Sequence, residues 1–220
     1  MIEEMRELAD RLVGQLKDRG VDYGDARLEN TDLESLTLRK QRLDSAEQQS
    51  TRGVGIRVLV DGCWGFASCS GFDRDVLEGT VDRAVEVARA GSSVIEGKVR
   101  LSDETPSVGH YDGPCRVDPF SIPKSDKIEL MTRAADTMHS ASEISMSWTQ
   151  LWFQRVRRVI GTTQGTLVSS DLTFTQPTIM AFAVDGDDMQ SRGFQEGVRI
   201  AGWEWVEEAD LLHWAEKCRE

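Results

Sequence analysis

The stretch Gly53-Val54-Gly55-Ile56-Arg57-Val58-Leu59-Val60-Asp61-Gly62-Cys63-Trp64-Gly65-Phe66-Ala67-Ser68 constrains the fold more than any other part of this chain. Val54, Ile56, Val58 and Val60 alternate with Gly55, Arg57 and Leu59, the pattern of a strand with one well-buried face. Asp61-Gly62 is a tight-turn dipeptide that suits a two-residue hairpin, with Gly62 at positive φ. Trp64, Phe66 and Ser68 then fall on one side of the return strand. Cys63, Gly65, Ala67 and Cys69 fall on the other. Asp73 stands where it can cap a helix carrying Val76, Leu77, Val81, Ala84, Val85 and Ala88 at helical spacing.

The flanking sequence extends this pattern. Ile2, Met5, Leu8, Ala9, Leu12, Val13 and Leu16 recur as on a helix, and Gly20 supplies a stop. Residues 22–52 are polar, and their loosely spaced Leu33, Leu36, Leu38 and Leu43 suit antiparallel strands with one wet face. Residues 92–123 hold Pro106, Pro114, Pro119 and Pro123 with Gly97, Gly109 and Gly113, so a long connection with little regular structure is expected. Ser125 is the predicted cap of a helix carrying Ile128, Met131, Ala134, Ala135 and Met138. Residues 143–205 predict several strands, with turns near Gly161, Gly165 and Asp185-Gly186. A last helix carries Ala209, Leu211, Leu212, Trp214 and Ala215.

Val60-Asp61-Gly62 before Gly65-Phe66 is matched by Val184-Asp185-Gly186 before Gly193-Phe194. The chain therefore predicts an α+β fold of mostly antiparallel sheets with packed helices. Two similar helix–strands–helix halves, 1–91 and 124–220, would be joined by the Pro/Gly-rich connection 92–123.

Composition narrows the function classes. At 220 residues, with 39% hydrophobic and 29% charged side chains, the chain is expected to be soluble and globular. Its 26 basic and 38 acidic residues leave a net charge of −12, which repels a phosphate backbone. Arg155, Arg157 and Arg158 are the best candidate for a local basic patch, and charges on the wet face of a strand are the favoured explanation. Met1-Ile2-Glu3-Glu4-Met5-Arg6-Glu7 is acidic and lacks an apolar signal core, and no apolar run approaches a membrane span. Cys63, Cys69, Cys115 and Cys218 are few and irregularly spaced, as reduced cytosolic thiols would be. A cytoplasmic location is expected, with no membrane and no direct nucleic-acid partner.

Each chemical constellation has a stronger structural explanation. Asp185, Asp187 and Glu196 occupy the first, third and twelfth places of a calcium loop. Met189 and Gln190 stand where an oxygen ligand and the turn glycine belong, so a solvated acidic turn is favoured. Gly53-Val54-Gly55 precedes a strand and lacks the third glycine of a dinucleotide fingerprint. His110, Asp112 and Cys115 are the one close His/Asp/Cys group, too few for a zinc site of spaced ligand pairs. Cys63 and Cys69 have no local base, which a catalytic thiol needs. His139 sits at a helix C-terminus, and His213 lies in an amphipathic helix. Trp148 with Trp152, and Trp203 with Trp205, share faces if their segments are strands. They would then fill a core or line a peptide groove, and the core is favoured. No residue is assigned a catalytic, cofactor-binding or metal-ligating role.

The glycine-flanked Gly-Val-x-x-Arg-Val strand, the Gly-Phe-Ala-Ser return strand and the Ala-rich helix together resemble the N-terminal domain of the TldD/PmbA family. Those proteins are zinc metallopeptidases, also described as modulators of DNA gyrase. The likeness covers most of the chain, 1–220. It implies hydrolysis of short or unfolded peptides by a zinc ion that polarises the scissile carbonyl and activates water, with a glutamate as base. The family's zinc motif is His-Glu-x-x-x-His. No Glu follows His110, His139 or His213, so those ligands cannot be carried over here.

The resemblance therefore implies a non-catalytic domain that helps form the substrate cleft and the interface of a homo- or heterodimer with a TldD/PmbA-type subunit. Zinc would belong to a C-terminal domain beyond this chain. A self-sufficient binding domain without peptidase activity is the alternative, and a frayed natural terminus at Glu220 remains open beside a domain boundary. If the chain is severed there, Trp203, Trp205 and Trp214 are expected at an exposed apolar patch.

Overall fold

The computed structural model describes residues 1–94 and 97–220. The elements follow in the order α1 (Ile2–Asp18), β1 (Tyr23–Arg39), β2 (Arg42–Val60), β3 (Cys63–Ser70), α2 (Arg74–Ser92), β4 (Val108–Asp112), a short 3-10 turn (Pro119–Ser121), α3 (Lys124–Met138), β5 (Ile144–Thr162), β6 (Leu167–Asp185), β7 (Asp188–Phe194), β8 (Arg199–Ile200), α4 (Glu204–Ala209) and α5 (Leu211–Arg219). The strands form one sheet in the order β3-β2-β1-β5-β6-β4, and β7 and β8 also pair with β6. The fold is α+β and mostly antiparallel. Among the described registers, β4 alone pairs parallel, on β6.

The central hairpin forms where its alternation places it. Val60 pairs with Cys63 across Asp61 and Gly62, and Gly53 pairs with Ser70 at the far end. Asp61 lies at φ 49° and Gly62 at φ 78°. Both turn residues are thus left-handed, as a turn matching the strand twist requires. Asp73 caps α2 by accepting from the Asp75 and Val76 amides.

The chain divides into two compact units. One comprises residues 1–31, 50–112 and 156–171; the other comprises 32–49, 113–155 and 172–220. Four of the boundaries fall inside β1, β2, β5 and β6, and the fifth follows β4 within the connection 92–123; the sequence pattern instead ends one half at 91 and begins the other at 124. Local periodicity cannot reveal this division, because β1, β5 and β6 run unbroken through it and give their two ends to different cores. In the first unit, Met5, Leu12 and Leu16 of α1 and Val81, Val85 and Ala88 of α2 pack with Leu28, Ile56 and Val58 of the sheet. In the second, Met131 and Met138 of α3 and Leu211 and Ala215 of α5 pack with Leu38, Phe153 and Ile179.

Four local expectations are corrected. The connection 92–123 contains β4, whose five residues are all exposed and give no burial alternation to detect. Helix α3 is entered from Pro123 without a side-chain cap. The Ser125 hydroxyl bonds Asp126 instead, at 2.9 Å. Gly161 lies within β5 rather than in a turn, in close approach to Val13 and Ala9 of α1. The C-terminal helix is broken at Asp210, a left-handed residue at φ 44° whose carboxylate caps α5 at the His213 amide.

Candidate functional site

His110 is the residue whose surroundings most resemble a catalytic arrangement. Register places β4 residue His110 opposite Ser169 of β6, and Asp112 two positions on. The His110 ring bridges them, with Nδ1 2.9 Å from Ser169 Oγ and Nε2 2.8 Å from Asp112 Oδ1. Arg6 of α1 donates to the same Ser169 Oγ at 2.8 Å and to the Gly109 carbonyl at 3.0 Å. Ser169 is only 7% exposed. Its hydroxyl is occupied by the guanidinium and shielded from a substrate, so this chain of bonds fastens β4 and α1 to β6. Cys115, grouped with His110 by sequence spacing, belongs to the other unit, where its thiol turns to the Val117 carbonyl. Burial pushes that thiol's pKa up.

The remaining titratable candidates are likewise held by structure. His139 Nε2 lies 2.9 Å from Ser147 Oγ, and burial, aided by Lys40, lowers its pKa. His213 is exposed beside Trp214. Cys218 donates to the Arg192 carbonyl, and burial raises its pKa. All four cysteines are free. Arg155, Arg157 and Arg158 do not form a basic patch. Arg155 pairs with Asp118 at 2.7 Å, Arg157 with Asp171 at 3.0 Å and Arg158 with Glu29 at 2.6 Å. Glu196 pairs with Arg199, and Asp185 meets Asp188 in the β6–β7 hairpin instead of forming a calcium loop.

Sequence spacing misses two buried polar clusters, because their members are distant in the chain. Asp25 is fully buried and accepts from Arg27 at 2.9 Å and Arg57 at 2.7 Å. Arg57 lies 4.7 Å over the Trp64 ring, which Tyr23 meets edge-on. Burial and Asp25 together raise the Tyr23 pKa. The group braces β1, β2 and β3 on the face that Trp64 shows, opposite to Gly65. In the second unit, Glu204 receives the Gly202, Arg116 and Val117 amides. Burial opposes its ionisation, yet these donors hold its pKa below the ordinary carboxylate value.

The tryptophans separate into two groups. Trp203 and Trp205 do not sit on a strand. They open α4, with Trp203 against Phe153 and Trp205 against Phe194. Trp205 is 4% exposed, and Trp214 also packs on Phe194, so these rings cover the core instead of forming a bare patch. Trp148 does lie on a strand. With Arg39, Met146, Ser147 and Phe182 it lines a mainly apolar pocket of about 250 Å³. That pocket admits an apolar side chain but contains no acid–base pair.

Two family models match the chain. Residues 24–88 match PmbA/TldA metallopeptidase domain 1, and residues 117–220 match the PmbA/TldA metallopeptidase central domain.

The chain belongs to the PmbA/TldD metallopeptidase family.

A metalloprotease of Methanocaldococcus jannaschii is 20% identical over 154 residues, which are 69% of this chain and 34% of the relative. A metalloprotease of Methanothermobacter thermautotrophicus is 25% identical over 198 residues, 89% of this chain and 41% of the relative. The fold is that of a Thermotoga maritima protein named as a modulator of a DNA gyrase, with TM-score 0.73 and 19% identity over 98% of this chain and 47% of that one. The chain thus spans less than half the length of these PmbA/TldD relatives. No three His, Cys, Asp or Glu side chains converge as a metal site among the described residues. The described donors therefore do not fit a zinc ion, which needs about four ligands.

Proposed function

We propose that this chain is the substrate-holding, non-catalytic part of a PmbA/TldD metallopeptidase acting on short or unfolded peptides in the cytoplasm. The match to domain 1 and the central domain, over less than half the length of relatives named metalloproteases, carries this reading. The chemistry of peptide hydrolysis belongs to residues outside this chain, and the sheet described here contributes a wall of the substrate cleft. The net charge of −12, with each of the three clustered arginines paired with an acid, argues against strong direct DNA binding. The chain alone should retain less than one zinc per molecule after dialysis and should not cleave fluorescent casein or short peptides, whereas the longer protein should hold zinc and cleave them. Metal analysis beside the cleavage assay checks this. Stoichiometric zinc with EDTA-sensitive cleavage by the chain alone would overturn it.

Within the same reading, the chain pairs with itself or with another PmbA/TldD-type subunit. Exposed apolar side chains support this. Phe66 is 60% and Met189 64% exposed, together with Met146 and Val184. Dimers are expected at micromolar concentration. Because a charge of −12 opposes association, added salt should strengthen it. Sedimentation at low and high salt reads both effects. A monomer at every concentration would favour a self-sufficient binding domain, the second reading.

A further inference from the structure

A basic groove with an apolar floor runs beside α1, built wholly from residues of the first unit. It consists of two adjoining pockets that share Leu8, Arg11 and Phe72. The smaller, about 140 Å³, also holds Leu12, Gln15, Arg74 and Leu77. The larger, about 210 Å³, also holds Glu4, Met5 and Arg52. Three guanidiniums thus line the groove against one carboxylate, in a chain whose net charge is −12. Glu4 itself faces the terminal ammonium at 3.5 Å. Among the described residues no acid pairs with Arg11, Arg52 or Arg74, and Arg11 and Arg74 donate no hydrogen bond. Arg52 donates through Nε alone, to Asn30 Oδ1 at 2.9 Å. Asp73, the acid next to Arg74, is spent on the cap of α2. Gln15 adds an independent sign. Its Oε1 is shut away from solvent and accepts no hydrogen bond, an orphaned state that costs free energy until a donor arrives.

We propose that this groove is a nucleotide site, which takes a nucleoside monophosphate with its base in the smaller pocket and its phosphate in the larger. The site goes beyond the peptidase reading and does not depend on it. Guanidinium forks match phosphate oxygens in pairs, and Arg11 and Arg52 both line the larger pocket. In the smaller one the base lies on the Phe72 ring, the stacking contact that an aromatic side chain offers to any base. Leu12 and Leu77 floor it, and the planar guanidinium of Arg74 covers the base from its rim. No printed bond holds the Gln15 amide in place. A rotation toward the pocket lets its oxygen accept a base N–H and ends its isolation. Other anions match less of the groove. An acyl chain leaves that oxygen without a donor, and inorganic phosphate leaves the apolar floor wet. A nucleic-acid strand brings further phosphates against a chain of charge −12, so a single nucleotide is favoured.

Isothermal titration calorimetry of this chain with adenosine monophosphate, adenosine, inorganic phosphate, octanoate and a short single-stranded oligonucleotide tests the site. The monophosphate should bind most tightly of the five. Arg11→Gln should weaken it about tenfold or more and leave adenosine unchanged, because only the phosphate contact is lost. Phe72→Leu should weaken the monophosphate and adenosine alike, by about tenfold, because the stack is lost. Arg133→Gln on α3, outside the groove, should change neither. Both Arg11 and Arg133 are exposed, so their variants should keep the melting temperature. If Phe72→Leu fails to fold, nuclear Overhauser contacts in the unaltered chain replace it, and these should join the base protons to the Phe72 ring. Several results overturn the inference: no binding of the monophosphate, undiminished binding by Arg11→Gln, or base contacts elsewhere on the chain. Inorganic phosphate binding as tightly as the monophosphate does the same, since the base would then go unread. Tighter binding of octanoate would make the groove a site for acyl chains, and tighter binding of the oligonucleotide would make it part of a nucleic-acid surface; either outcome also overturns it.

Discussion

Gly65→Ala should lower the melting temperature by roughly 6–12 °C, the equivalent of about 3 kcal/mol for a chain of this size. Gly65 lies in β3 directly beneath α2. A Cβ placed there would stand 2.1 Å from the Ala84 carbonyl oxygen and 2.7 Å from the Ala88 amide nitrogen. Both are helix backbone, so no rotamer change relieves the clash. Either α2 lifts off the sheet or β3 bends, and each movement opens the core formed by Val81, Ala84, Val85 and Ala88. Removing the Ala88 methyl, 2.8 Å away, should rescue little, because the carbonyl of Ala84 remains. Gly79→Ala in α2, where nothing lies within 4 Å, should instead hold or raise the melting temperature. Thermal unfolding of the three variants followed by circular dichroism decides the matter. An unchanged Gly65→Ala transition would mean that helix and strand are not in this close approach.

Glu34→Ala should cost about 3–5 kcal/mol, the usual penalty for stranding a buried charge. Lys127 of α3 is fully buried and bonds Glu34 of β1, itself 3% exposed. The ammonium also lies 4.8 Å over the Phe153 ring. With Glu34 removed, Lys127 keeps that ring but loses its counter-charge in a site closed to water. Replacing both partners, Glu34→Met with Lys127→Met, should restore most of the loss, since two apolar chains of similar length need no desolvation. Urea unfolding of the single and double variants measures the coupling. Equal midpoints for Glu34→Ala and the unaltered chain would show that the pair contributes nothing.

Legibility in the sequence tracks how local the cause is. The β2–β3 hairpin was readable because four alternating branched residues and Asp61-Gly62 act within a few residues of one another. Helices α1 and α2 were readable because their buried stripes, Met5 to Leu16 and Leu77 to Ala88, repeat at helical spacing. β4 was not, because Val108 to Asp112 are exposed and are held as a strand by pairing with Leu167 to Asp171. The break at Asp210 was hidden because Ala209, Leu211, Leu212 and Ala215 lie close enough in sequence to suit one helix. One of the two partners of His110 was hidden as well, although Asp112, grouped with it by spacing, does bond its ring. Spacing offered Cys115, five residues on, while strand register supplied Ser169.

By itself the sequence determined the α+β class, the helix and hairpin signals, the acidic balance and the family. The first three are carried by short-range periodicity, turn residues and composition, and the family by the resemblance of the Gly-Val-x-x-Arg-Val strand, the Gly-Phe-Ala-Ser return strand and the Ala-rich helix; all survive without knowledge of the fold. Tertiary structure alone decided that the long strands serve two cores, that Lys127 is buried against Glu34 and that each clustered arginine has its own acid. Each of these depends on which segments become neighbours across tens of residues. That choice is made by the burial of whole faces and not by any local propensity.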